Sequence, residues 1–114
     1  MPRPVSLPDQ ASFAAAANQA ARLMRALSNE RRLMVLCELS TGEATVGDLA
    51  KRVGLSSSAL SQHLAKLRAD ELVRTRREAQ TIFYRLGDPA AARVISLLAD
   101  IYCPPPPAGK RKVA

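Results

Sequence analysis

The stretch TVGDLAKRVGLSSSALSQHLAKLRADELV, residues 45–73, constrains the fold more than any other part of the chain. Thr45 to Arg52 has the spacing of a short helix, and Gly54 is a residue free to take positive φ and turn the chain sharply. Ser56 is a capping residue for a second helix reaching about Ala69. Leu49, Ala50, Val53, Leu60, Leu64 and Leu67 recur so that the two helices turn apolar sides toward each other. The small Ala50 leaves clearance for them to cross. Spacing, turn residue and local charge all describe a helix-turn-helix.

The flanking segments suit that unit. Residues 1–8 carry three prolines and are expected to be poorly ordered. From about Pro8 to Leu27, Phe13, Ala16, Ala17, Ala20, Leu23, Met24 and Leu27 form one apolar helical stripe, with alanines that let another helix approach closely. Ser28 is expected to cap a second helix running to about Ser40, with Gly42 ending it, and Leu33, Leu36 and Cys37 share its inner face. Past the central motif the period changes to two. Leu72–Arg76 and Thr81–Leu86 read as a β-hairpin around a polar four-residue loop. Asp88 then caps a last helix with Pro89 at its first position, and the prolines from Pro104 stop it. Val94, Ile95, Leu97, Leu98, Ile101 and Tyr102 make that helix apolar around more of its girth than a small monomer covers. Without tryptophan and with four Phe and Tyr residues in all, the core is expected to be Leu, Val, Ile, Met and Ala. The expected organisation is a mainly α domain over 9–103 with a small β-hairpin, preceded by residues 1–8 and followed by a disordered Pro-rich basic tail, 104–114.

Charge points to the partner. Seventeen Lys and Arg against ten Asp and Glu leave a formal +7, which favours a polyanion. Residues 51–85 hold eight basic and three acidic side chains, and Lys110, Arg111 and Lys112 add to the tail. In a helix-turn-helix the N-terminal half of the second helix enters the major groove of double-stranded DNA. Ser56, Ser57, Ser58, Ser61, Gln62 and His63 lie there. Serine hydroxyls beside free helix amides suit phosphate oxygens, and Gln62 has the donor–acceptor pair that adenine N6 and N7 require. Lys66 and Arg68 extend the candidate set along the helix. Arg74, Arg76, Arg77 and Arg85 place a basic hairpin beside it, suited to backbone phosphates. The broad apolar faces of the first and last helices favour a homodimer, which would set two reading helices one turn apart on an inverted repeat.

Other classes lack support. No run approaches the ~18 apolar residues of a membrane span, and MPRPVSLPDQ has no secretory apolar core, so a cytoplasmic location is expected. His63 is the sole histidine, and it is read as a DNA-contacting or packing imidazole. No paired acid–base set, phosphate-cradling glycine loop or nucleophile with a neighbouring base points to an enzyme. No metal or cofactor is expected. The two cysteines, Cys37 and Cys103, are expected to be reduced thiols. Cys37 on an apolar face is by itself a small hydrophobe, whereas Cys103 ends a helix where access is easier. Spacing alone leaves open whether they work as a pair.

The segments ALSNERRLMVLCEL, 45–73 and RREAQTIFYRL resemble the arsenic-repressor (ArsR/SmtB) family of winged helix-turn-helix repressors over residues of about 20 to 103. The resemblance implies a homodimer that leaves its operator when a signal is sensed. Many members hold a metal through a cysteine pair in a segment that begins the first helix of the motif; here that segment runs from Glu43 to Leu49, with Thr45 and Gly47 where the cysteines would sit. Others use histidines on the last helix, and residues 88–103 contain none. Ala79 stands near the wing tip, where relatives often have glycine. Cys37 and Cys103 occupy places that resemble those of the family's persulfide-sensing branch. This implies that reactive sulfur species link the two thiols and release DNA, inducing sulfide-response genes. A general oxidant switch or an arsenite sensor on the same thiols, and a constitutive DNA-binding protein with inert cysteines, are the alternatives.

Overall fold

The computed structural model describes residues 4–105 of the 114-residue chain. Five helices and a hairpin follow in the order α1 (Gln10–Leu27), α2 (Glu30–Leu39), α3 (Val46–Val53), α4 (Ser57–Ala69), β1 (Val73–Glu78), β2 (Thr81–Leu86) and α5 (Pro89–Tyr102). Expectations about residues 1–3 and about the tail, including Lys110, Arg111 and Lys112, lie outside the described residues.

Helix α2 is the hub, packing against α1, α3, α4, α5 and β2. The core forms around it from Val35 and Leu36 of α2, Leu49 of α3, Leu60, Leu64 and Leu67 of α4, Val73 of β1 and Ile95 of α5, with no buried polar or charged residue among those described. The expected methionines are not in it, since Met24 and Met34 are exposed. Helix α1 contributes only its end. Ala26 and Leu27 are buried and Leu23 packs against the core, but the stripe from Phe13 to Ala20 stays exposed.

Local hydrogen bonds explain the boundaries. Side chains of Asp9, Asn29, Thr45, Ser56 and Asp88 accept from backbone amides at the starts of the five helices, satisfying donors a helix start leaves free. Asn29, not Ser28, caps α2: its side chain accepts from the Arg32 amide at 3.0 Å, while Ser28 closes α1 by donating its amide to the Arg25 carbonyl. One residue cannot both finish α1 and begin α2, so the capping role moves on by one. Arg32 reinforces the corner by donating its Nε to the Ala26 carbonyl at 2.7 Å.

The hairpin is tighter than its sequence suggests. Strand β1 continues through Arg77 and Glu78, and Glu78 pairs with Thr81, so Ala79 and Gln80 alone make the turn. Ala79 takes φ 56°, the left-handed backbone that closes so short a loop. A third strand-like contact joins from the α2–α3 loop. The Ala44 amide donates to the Tyr84 carbonyl at 3.0 Å and the Tyr84 amide to the Ala44 carbonyl at 2.8 Å.

Candidate nucleic-acid interface and thiol pair

Helix α4 is presented by the joint before it. Gly54 sits at φ 71°, and its amide and that of Leu55 both donate to the Ala50 carbonyl, which turns the chain from α3 into α4. Ser56 then accepts from the Ala59 amide at 3.1 Å. With Leu60, Leu64 and Leu67 buried on the inner side, Ser57, Ser58, Ser61, Gln62, Lys66 and Arg68 are left exposed and His63 half-buried. The first turn of α4 carries no acidic residue, so its amides and dipole are left to favour an incoming anion. Lys66 and Arg68 stand in its last turn, with Lys66 paired to Asp70 at 3.5 Å. The set therefore divides into polar groups toward the N-terminal end of α4 and basic groups in its last turn.

The four hairpin arginines are not one cluster. Arg74 pairs with Arg85 at the root of the hairpin, where the Arg74 side chain lies over Gly87. Arg77, opposite Ile82, stands one pair from the turn, and none of the ion pairs among the described residues involves it. Arg76 is occupied. Its Nε donates to both carboxylate oxygens of Glu43, at 2.9 and 3.0 Å, and its guanidinium lies 4.4 Å above the centre of the Phe83 ring. Glu43 escaped the sequence reading because its partner is 33 residues away. Arg52, on α3, pairs with Glu38 of α2 at 3.9 Å.

Both cysteines are free thiols on neighbouring helices, since α2 and α5 pack together. Cys37 is half-buried against the core, and its carbonyl accepts from the Ser40 hydroxyl. Cys103 is exposed as the C-cap of α5, its amide donating to the Ala99 carbonyl at 2.9 Å. Burial pushes the Cys37 thiol above its ordinary range, with the charges of Cys103 and Glu38 adding to it. No three His, Cys, Asp or Glu among the described residues come together as a metal site, and no described helix is long and apolar enough to cross a membrane.

A polar helix carried by a glycine-jointed partner and flanked by a two-stranded basic hairpin defines a winged helix-turn-helix protein. Residues 29–75 match the family described as bacterial regulatory protein, arsR family. The chain belongs to that family, whose members are DNA-binding transcriptional regulators. HlyU of Vibrio cholerae serotype O1, named a transcriptional activator, is 54% identical over 81 residues, 71% of this chain and 75% of its own. The structure of reduced HlyU from Vibrio cholerae N16961 matches with a TM-score of 0.78 at 48% identity, covering 82% of this chain and 98% of that one. The biofilm growth-associated repressor of Xylella fastidiosa is 42% identical over 87 residues, 76% of each chain. The winged helix-turn-helix domain of Mb0332 from Mycobacterium bovis, described as homodimeric, matches with a TM-score of 0.69 at 33% identity, over 86% of this chain and 89% of that one.

Proposed function

We propose that the protein is a homodimeric repressor that binds an inverted-repeat operator while Cys37 and Cys103 are reduced, and leaves it when reactive sulfur species link them. The observation that carries this reading is the position of the two thiols. One is half-buried on the hub helix α2, and the other is exposed at the end of α5, which packs on α2. Ser57, Ser58, Ser61, Gln62 and His63 act in the major groove, with Ser56 holding the helix end that presents them. Lys66, Arg68, Arg74, Arg77 and Arg85 supply the surrounding positive charge.

The chemistry balances without a metal. The exposed Cys103 thiolate attacks the outer sulfur of an organic persulfide, RSSH; the S–S bond breaks, and RS⁻ leaves. The Cys37 thiolate then attacks Cys103 Sγ and expels hydrosulfide, leaving a Cys37–Cys103 disulfide. Two thiols are oxidised while the sulfane sulfur is reduced to hydrosulfide. A longer polysulfide leaves extra sulfur in the bridge, which spans a gap wider than the roughly 7 Å between Cα atoms that a plain disulfide tolerates. Either bridge ties α5 to α2, and a small rotation there misplaces two reading helices that must enter successive grooves together. The similarity to a repressor named for biofilm growth, and to a protein whose structure is of its reduced form, supports the reading.

The test is mass spectrometry of the reduced protein after polysulfide or peroxide, followed by operator titrations of each product. A Cys37–Cys103 peptide with extra sulfur in the polysulfide arm, together with loss of DNA binding, is expected. A plain disulfide from both reagents would make the protein a general oxidant switch. Unlinked thiols would end the dithiol mechanism.

A further inference from the structure

The wing is held to the body by a side-chain bridge that crosses three strand-like segments. Across the hairpin, Arg76 pairs with Phe83, so both side chains point to one face. Ala44 pairs with Tyr84, and the alternation of strand side chains sends its neighbour Glu43 to the face that Arg76 and Phe83 share. Arg76 therefore reaches over Phe83, 4.4 Å above its ring, and ends on the Glu43 carboxylate at 2.9 and 3.0 Å. Glu78 adds a weaker ion pair to Arg76 at 3.8 Å. On the other face of β1, one pair from the turn, Arg77 has no such partner among the described residues.

We infer that Glu43, Arg76 and Phe83 form a staple that sets the angle of the wing, so that Arg76 is a positioning residue and Arg77 is the wing's phosphate-binding group. The inference rests on the reading that the wing meets DNA. To reach a phosphate, Arg76 would have to give up its carboxylate and its ring together, and giving up both offsets what the phosphate returns. Lysine cannot replace it, because a compact ammonium lacks the planar fork that stacks and hydrogen-bonds at once. The staple also begins on the loop that leaves α2, six residues beyond Cys37, and so joins the thiol-bearing helix to the wing.

The experiment titrates the reduced full-length protein, at several salt concentrations, onto a duplex that the protein itself has selected from random-sequence DNA. The variants are Arg77→Gln, Arg76→Lys, Arg76→Gln, Glu43→Gln and the double variant of the last two. Arg77→Gln is expected to weaken binding and to reduce the salt slope by about 0.9 for each phosphate left without its cation. Arg76→Lys should weaken binding as much as Arg76→Gln, about threefold per wing, the scale of an exposed ion pair with a stacked ring. Glu43→Gln should weaken binding too, although it removes a negative charge, and the double variant should be no worse than the poorer single one.

Amide hydrogen exchange at Ala44 and Tyr84 should quicken in Arg76→Lys and Glu43→Gln while core amides stay protected. Wild-type binding by Arg76→Lys with a reduced slope in Arg76→Gln would make Arg76 itself the phosphate-binding group and overturn the staple. So would tighter binding by Glu43→Gln or unchanged exchange at Ala44 and Tyr84. If Arg77→Gln leaves affinity and slope unchanged, the reading that the wing meets DNA fails, and the role given to Arg77 fails with it. The exchange data still report separately on whether the staple holds the hairpin.

Discussion

The α3–α4 unit and the α1–α5 pair make opposite use of their apolar residues. In the first, Leu49, Val53, Leu60, Leu64 and Leu67 are all buried within one chain, and what faces outward is polar, charged or the small side chains of Ala65 and Ala69. In the second, Phe13 is 45% exposed, Leu97 57%, Ile101 59% and Tyr102 76%. A helix-turn-helix of this kind is complete as a folded object. The outer helices are not, because water covers apolar area that would release free energy if another surface replaced it. The α3–α4 unit, the proposed reading head, is thus specified inside each chain, while the spacing of two such units is left to whatever covers α1 and α5. In the proposed dimer that is a second copy, so a signal altering the outer helices changes the distance between heads without unfolding either.

Substitutions in the two regions should consequently fail in different ways. Leu64→Ala empties a fully buried position in the closed unit and should cost about 2–5 kcal/mol. Thermal or urea unfolding would register this directly, and operator binding should fall with stability. Ile101→Glu places a charge on the open surface of α5. The far-UV circular dichroism of its folded monomer should stay near wild type, while self-association, followed by analytical ultracentrifugation, weakens by at least about thirtyfold, or ~2 kcal/mol, and takes with it the part of the unfolding stability that depends on protein concentration. Should Ile101→Glu unfold the monomer, or leave association untouched, the division between a closed and an open region would be wrong.

How much of this is legible in the sequence follows the same division. The joint is readable because its causes are local: Gly54 has to turn left-handed, Ser56 caps the residues beside it, and Asp88 with Pro89 starts α5 within one turn. Local rivalry defeats the expectation at Ser28, where two neighbouring helix ends compete for one capping residue and Asn29 takes the role. The hairpin turn is shorter than expected because Ala79 adopts a backbone that glycine usually supplies, and alanine gives no sign of that in sequence. Glu43 and Arg76 are beyond reach for another reason. Their pairing depends on Ala44 adding itself to the edge of β2, a long-range event that no periodicity records. The thiols fall between these cases: their helices can be read, but their mutual approach depends on how α5 crosses α2.

A milder test of the closed region is its hinge. Gly54→Ala meets no atom within 4 Å of the added methyl group, so its cost lies in the backbone alone, about 1–2 kcal/mol for an L-residue held at positive φ. Its melting temperature should drop by less than that of Leu64→Ala. An unchanged melting temperature would mean that the joint relaxes to another geometry. The polar face of α4 would then be less firmly held than its buried leucines suggest.

The smallest effect concerns Cys37, which lies on the border between the two regions. Burial first, then the Cys103 and Glu38 charges, raise its thiol above the ordinary 9.0. Because the native state then holds the proton more tightly than the unfolded chain, this contribution to stability is complete below about pH 9. It is lost as pH rises through the raised value. Under reducing conditions, wild type should therefore lose slightly more melting temperature than Cys37→Ser between neutral and strongly alkaline pH. Alkylation gives the kinetic counterpart. At neutral pH iodoacetamide should label exposed Cys103 first, and Cys37 should gain on it only as pH climbs beyond the ordinary thiol range. Equal labelling rates at neutral pH would mean that α5 lifts away from α2 often enough to expose both thiols alike. The proposed order of attack, Cys103 first and Cys37 resolving, would then lose its physical basis even if the same bridge formed.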